Sequence, residues 1–312
     1  MQALIDVILP VFVVIGFGYA AAWRGLFNDS AVDGVMRYAQ NFAVPCLLFR
    51  NLAGLDLAAT YDIRLFAAFY IGAFVSFVLG YLSAVRLFNR PVTDAIAIGF
   101  VCLFSNSLLL GLPITERAYG PDALAGNYAI ISIHAPLFYA FGITCMELAR
   151  NHGQGLAART LARQVLRAIF MQPLVLGITA GFIVNLSGLP LPGALSGGID
   201  MMAKSAIPAA LFGLGGVLLR YRPEGDGRTI AMICALSLVV HPLVTFTLGR
   251  YVLGLDLHQM RSAVVTAAMA PGVNAYMFAN LYGVAKRVAA TSVLVATALS
   301  MVTIWFWLQL IP

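Results

Sequence analysis

This chain of 312 residues has little charge: Asp, Glu, Lys and Arg make up 10% of it, while hydrophobic residues make up 61%. An average soluble domain is roughly 25% charged, so an ordinary soluble enzyme is excluded. Cysteine is scarcer still. Cys46, Cys102, Cys145 and Cys234 all fall inside apolar segments without C-x-x-C spacing, which argues against a disulfide framework and against a zinc or other metal site. No Walker-type Gly-rich loop, H-E-x-x-H or G-x-S-x-G occurs, so direct ATP use, a metalloprotease and a serine hydrolase each lack their required groups, and no cofactor is expected. No basic run interleaved with aromatics suggests nucleic acid, and the net charge of +6 reads as a topology signal instead.

Long apolar runs are what the chain does have. Residues 65–85, 95–115, 123–146, 168–199, 229–249, 262–285 and 288–312 contain no Asp, Glu, Lys or Arg. About 20 apolar residues cross a bilayer core, so these runs read as membrane helices and the lipid bilayer is the first partner. Residues 7–23 are also uncharged, but Asp6 precedes them and Arg24 follows, the wrong polarity for a signal peptide, and the segment is expected to be the first helix.

Read between charges and clusters of Gly, Pro, Asn and Asp, the chain predicts ten helices near 4–23, 35–54, 63–86, 94–119, 124–148, 166–187, 194–219, 228–252, 261–283 and 288–310. The halves repeat at a constant offset of 163: Pro10 with Pro173, Gly18 with Gly181, Gly25 with Gly188, Pro45 with Pro208, Tyr119 and Gly120 with Tyr282 and Gly283. Five helices per half is odd, so the second half enters the membrane from the opposite side. The expected fold is an all-α multi-pass membrane protein of two inverted five-helix repeats, 1–148 and 166–312, joined by a basic cytoplasmic linker over 149–165. Arg24, Arg37, Arg86, Arg90, Arg150, Arg159, Arg163, Arg167, Arg220, Arg222, Arg228, Lys286 and Arg287 collect on one side, while Arg50, Arg64, Arg117, Arg250 and Arg261 fall on the other. The positive-inside rule then places both termini outside the cytoplasm of a cell inner (plasma) membrane protein. On that topology Asn28-Asp-Ser30, a glycosylation sequon by pattern, lies in an inside loop and carries no meaning.

Two helices carry breaking residues at mid-length. The fourth contains Phe104-Ser-Asn-Ser-Leu-Leu-Leu-Gly-Leu-Pro113 and the ninth Ala268-Met-Ala-Pro-Gly-Val-Asn274. Proline removes a backbone donor and glycine relaxes the dihedrals, so Gly111, Pro113, Pro271 and Gly272 predict local unwinding. Unwound backbone at membrane depth is tolerated only where protein buries it or it lines a cavity, and paired breaks in inverted halves point to a transport site. The half-helix N-termini that a break exposes favour an anion, and Asn106 and Asn274 beside them can donate to a carboxylate without the desolvation cost of a fixed charge. A plainer reading makes these ordinary proline kinks with Asn satisfying freed carbonyls.

Asn106-Ser-x-x-x-Gly111-x-Pro113 with Tyr119 and Gly120, and Pro271-Gly-Val-Asn-Ala-Tyr-Met-Phe-Ala279 with Tyr282 and Gly283, resemble the crossover motifs of the auxin efflux carrier family, including its bacterial malonate and malate transporters. The resemblance implies a bile-acid-symporter-like fold with crossed broken helices 4 and 9. It implies a scaffold from about 1–60 and 166–222, and a moving transport domain from about 61–148 and 223–312. It also makes Asn106, Pro113, Pro271 and Asn274 substrate contacts and allows a homodimer. Plant members carry charged residues in the third helix that residues 65–85 lack, so no coupling ion is implied.

Among intramembrane polar groups, Lys204 sits at the 163 offset from Asn41, with Asp200 one helical turn before it. Either Lys204 faces the crossover and supplies a fixed positive charge, or Asp200 and Lys204 pair at the helix end and reach the interface. His241, before Pro242, is a candidate proton shuttle and a possible coupling group with Asp200 and Lys204; His134-Ala-Pro136 is a weaker one. Glu116 and Arg117 read as interfacial. The expected function is a secondary active transporter of a small organic anion, a mono- or dicarboxylate such as malonate or malate, working by elevator-like alternation. A sodium-coupled bile-acid-type symporter is the alternative, but residues 95–115 and 262–285 offer no carboxylate for the ion. An intramembrane enzyme or passive channel is the alternative from another class.

Overall fold

The computed structural model describes residues 2, 4–150, 158–221 and 226–311. Arg222, and residues 151–157 of the expected linker, lie outside them. The described residues are helical almost throughout, and their order follows the apolar runs. α1 is Leu4–Trp23. α2 (Asp29–Tyr38) continues through a π-helical turn (Ala39–Ala43) into α3 (Val44–Ala53), followed by the short α4 (Leu57–Thr60) and by α5 (Ile63–Arg86). α6 (Val92–Leu103) is interrupted before a π turn (Ser107–Gly111) and α7 (Leu112–Tyr119). Then come α8 (Pro121–Arg150), α9 (Ala158–Phe170), α10 (Pro173–Ser187) and α11 (Gly193–Arg220), and α12 (Gly227–Val252). α13 (Leu257–Ala267) is interrupted before α14 (Val273–Tyr282), and α15 is Lys286–Leu310.

Six of these helices, α1, α5, α8, α11, α12 and α15, are each long and apolar enough to cross a membrane, so the chain is a multi-pass membrane protein. α9 and α10 meet at a bend of 80°. Half of the segment expected as a linker is therefore helix. Ala, Leu, Arg and Gln favour it, Arg159, Arg163 and Arg167 follow one another at one-turn intervals, and Pro173 restarts the chain in a new direction.

Proline placement explains most helix irregularities. Pro10, Pro45, Pro113 and Pro242 each occupy the second position of an α-helical stretch that a five-residue π turn precedes. Proline cannot donate to the carbonyl four residues back and its ring crowds that carbonyl; a widened turn relieves both problems without ending the helix. Pro113 consequently does not unwind the chain, and the interruption falls earlier, at residues 104–106. α2 starts six residues before the expected position because the Asn28 side chain accepts a hydrogen bond from Ala31 N–H at 2.9 Å, which makes the apparent sequon a helix cap.

Packing sorts the helices into two groups. α1 lies along α11, and α3 along α10 and α11; α5, α6, α8 and α12–α15 pack mainly on one another. In the first group backbones approach closely through glycine. A Cβ on Gly18 would sit 1.8 Å from the Phe212 carbonyl oxygen, and one on Gly181 2.9 Å from that of Phe49. These contacts are related by the same offset of 163, as are Gly25 and Gly188, and Gly120 and Gly283, all four with positive φ. In the second group the Asp62 carboxylate caps α5 and accepts from Gln259 Nε2 of α13 at 2.9 Å, while hydrogen bonding from Arg64 holds it well below the usual carboxylate range.

Gly18→Ala is expected to lower the thermal midpoint in detergent markedly, because its new methyl meets rigid backbone; overpacking typically costs about 1–3 kcal/mol. Gly16→Ala, with nothing within 4 Å of the added carbon, is the control and should not lower it.

Candidate functional site

The two interruptions meet. Phe104, Ser105 and Asn106 run antiparallel to Ala270, Pro271 and Gly272: Asn106 N–H donates to Ala270 O at 2.8 Å, Gly272 N–H donates to Phe104 O at 2.9 Å, and Ser105 bridges Pro271. Each broken helix thus satisfies the backbone groups that its own break frees by pairing with the other. That also explains why the ninth-helix break coincides with its proline while the fourth-helix break does not. Pro271 has no N–H to lose from this pairing, whereas Asn106 needs one.

Past the crossing both chains restart as helices. The Asn106 side chain, 7% exposed, accepts from Leu109 N–H at 3.3 Å and caps the turn beginning at Ser107. Gly272 precedes α14 without any side-chain cap. The first-turn N–H groups of Val273 and Asn274 are therefore left for a ligand, at the positive end of the helix dipole.

A cavity of about 260 Å³ opens beside the crossing. Its floor is the crossover itself, Phe104 to Leu109 and Gly272 to Asn274; α8 contributes Ile131, His134, Ala135 and Tyr139. Gln40, Asn41 and Val44 on one segment and Gln172, Pro173 and Leu174 on another close it from the first packing group. The lining is mixed apolar and neutral polar, with no Asp, Glu, Lys or Arg among the described residues. Tyr139 OH donates to the Asn274 carbonyl at 3.4 Å, tying α8 to the start of α14. Cavities for drug-sized ligands run about 300–1,000 Å³, so this one suits a smaller molecule.

Of the residues singled out in the sequence, Asn41, Asn106, Gly272 and Asn274 line this cavity. Gly111, Pro113 and Pro271 are buried close to it without lining it. Lys204 is exposed and lies outside it. Asp200 pairs not with Lys204 but with Arg50 of α3, at 2.7 Å, and neither lines the cavity. His241 is 1% exposed, with Nε2 at 3.3 Å from the Phe69 carbonyl, and does not reach the cavity. Sequence reasoning passed over Gln40, Gln172, Ser105, Ser107 and Tyr139, and gave His134 little weight. Neutral polar residues in apolar runs carry no local signature of facing a cavity. Lys204→Gln is expected to leave ligand binding at this cavity unchanged, whereas Asn41→Ala, at the position equivalent by offset, should weaken it.

Comparison with known proteins bears on the same residues. A family profile described as a membrane transport protein matches residues 3–308. The chain is 24% identical over 312 residues to the "Putative malonate transporter" of Rhizobium meliloti (strain 1021), covering 100% of this chain and 97% of that one. It is 22% identical to "Auxin efflux carrier component 5" of Arabidopsis thaliana, over 95% of this chain and 93% of that one. It is 21% identical to the "Uncharacterized transporter YfdV" of Escherichia coli (strain K12), over 96% of this chain and 95% of that one.

Proposed function

The chain belongs to the membrane transport protein family that includes the auxin efflux carriers, and from that membership we propose that it is a secondary active transporter of a small organic anion. The substrate class is a mono- or dicarboxylate of the size of malonate or malate, and the membrane is the plasma membrane. The observation that carries this reading is the cavity at the crossing. It combines an uncapped helix N-terminus, three asparagines and, among the described residues, no fixed charge. N–H groups and amides can hold a carboxylate by hydrogen bonding. The absence of a fixed cation keeps binding shallow enough for release on the other side, which a carrier requires. The printed name of the Rhizobium meliloti relative points to the same class.

The reading extends to architecture. Ten crossings in two inverted five-helix repeats accommodate the chain if α2 with α3, α6 with α7, α10, and α13 with α14 each make one crossing beside the six long helices. The glycine pairs at offset 163, in matching contacts and matching backbone conformations, support that repeat. The first packing group then serves as scaffold and the second as transport domain. Because the cavity lies between them, moving one past the other would carry the substrate across.

The test is uptake of radiolabelled malonate, malate and an aromatic monocarboxylate into proteoliposomes under imposed sodium, proton and voltage gradients. Saturable uptake with counterflow is expected. Linear, non-saturable flux would replace the carrier by a channel, and sodium-dependent accumulation would favour the bile-acid-type symporter.

A further inference from the structure

α9 takes no part in the cavity, and its pattern of charge sets it apart from the long apolar helices. Arg159, Arg163 and Arg167 recur at every fourth residue, so about 12 Å of one arc carries three guanidinium groups. All three residues are exposed. Residues 148–199 contain neither Asp nor Glu, and among the described residues none of the three arginines meets a carboxylate. Arg167 spends only its Nε, on Met171 Sδ at 3.3 Å. Elsewhere Arg50, Arg90 and Arg220 each meet an aspartate, and Arg150 stacks on the Tyr282 ring at 4.7 Å.

The opposite arc of α9 is apolar. Val165 and Ala168 pack on the main buried cluster, and α8 runs beside the helix. Between the two arcs Leu166 and Phe170 are 53% and 54% exposed, and each stands seven residues after an arginine, Arg159 and Arg163, hence on the same side of the helix. Met171, just past the helix end, is 67% exposed. Water does not suit these apolar side chains, and hydrocarbon does not suit the arginines beside them. Both are accommodated where headgroups meet acyl chains.

The bend of 80° between α9 and α10 agrees with that placement. With α10 entering the bilayer, α9 is laid along its surface, because 13 residues reach only about 20 Å and arginines without a counter-ion are costly in the hydrocarbon core. A guanidinium keeps its charge throughout the physiological range and holds phosphate oxygens through paired N–H donors. We propose that the Arg159, Arg163 and Arg167 arc of α9 is a binding surface for the headgroups of anionic phospholipids, with Leu166, Phe170 and Met171 set among the first methylenes of the acyl chains. A zwitterionic headgroup offers the same phosphate but places an ammonium beside it, so three uncompensated cations select phosphatidylglycerol over phosphatidylcholine. Each arginine near anionic lipid strengthens the attraction about fivefold, and three together carry the preference past tenfold. The inference requires α10 to enter the bilayer and does not rest on the anion-carrier reading.

The experiment uses the purified full chain in a neutral maltoside detergent with phosphatidylglycerol that carries a fluorescent acyl chain. Unlabelled phosphatidylglycerol or phosphatidylcholine displaces the probe, and anisotropy follows the displacement. In wild type phosphatidylglycerol acts at a concentration at least about tenfold lower, and the ratio falls toward one at roughly 1 M salt, where charges are screened within about 3 Å. Joint replacement by Arg159→Gln, Arg163→Gln and Arg167→Gln brings the ratio to within about twofold of one. The control replaces as many exposed arginines on other segments, by Arg24→Gln, Arg37→Gln and Arg228→Gln, and keeps the preference. Equal displacement by the two lipids in wild type would overturn the inference without any variant. So would a preference that survives in the α9 variant, or one that the control loses equally, since net charge and not α9 would then draw the lipid. Should the triple variant not fold, Arg163→Gln alone is expected to lower the ratio about threefold, and an unchanged ratio overturns the inference. None of these outcomes depends on anion uptake.

Discussion

Replacing Asn274 by alanine is expected to raise the half-saturation concentration for anion uptake about ten- to hundredfold and to leave the thermal midpoint unchanged. The two asparagines at the crossing are not equivalent. The Asn106 side-chain oxygen is committed to Leu109 N–H, so only its NH2 group is left to donate. The Asn274 side chain has no partner among the described residues; its backbone carbonyl alone is used, by Tyr139. Truncating it removes no bond that holds the fold, and alanine is the better helix former in the first turn. What is lost is a donor beside the uncapped start of α14, and a hydrogen bond to a charged group is worth about 1.5–3 kcal/mol, which sets the range of the expected change. Asn106→Ala should differ in kind. It loses uptake as well as a helix cap worth about 1 kcal/mol, so its melting midpoint falls too. Radiolabel uptake and thermal melting of the same purified samples separate the cases. An unchanged half-saturation concentration in Asn274→Ala would mean that the anion does not pass through this cavity.

The helices were legible in the sequence because charge marks their ends. The run expected over 63–86 is α5, and that over 4–23 is α1. Offsets in glycine and proline were legible too, since a positive φ or a close backbone approach allows little besides glycine, and Gly18, Gly25 and Gly120 recur as Gly181, Gly188 and Gly283 for those reasons. Tertiary partners were not legible. The fourth-helix stretch was expected to unwind at Gly111 and Pro113, where local propensity is weakest. The chain opens instead at Ser105 and Asn106 because Ala270 and Gly272, more than 160 residues away, pair with it there. Asp200 has Lys204 one turn along, yet it binds Arg50 on another helix. His134 in an apolar run looks like a packed core residue, and only the placement of α8 against the crossing brings it to the cavity wall.

A cysteine pair at Leu109 and Ala210, cross-linked by a short thiol-reactive linker, is expected to reduce uptake to the level of protein-free liposomes, with recovery on reduction. Leu109 lies in the π turn just after the first break, and with Ala39 and Ala210 it forms a small buried cluster. Leu109 belongs to the crossover, while Ala39 and Ala210 belong to helices of the opposite packing group, so the contact spans the boundary that an elevator movement must slide along. Packed interfaces switch between discrete arrangements and do not stretch, so a short tether there holds one arrangement. The native Cys46, Cys102, Cys145 and Cys234 are first replaced by alanine, so that the reagent finds only the introduced pair. The control comes from the same cluster: Ala39→Cys with Ala210→Cys joins two helices of one group, and its cross-linking should leave uptake intact. Anion binding by the Leu109 and Ala210 cross-linked protein should survive, because the tether preserves the arrangement in which the cavity is formed and the replaced Leu109 side chain gives it no polar group. Full transport by that protein would show that the crossover does not slide past α11, and the anion would then have to cross by a rearrangement confined to the crossing itself.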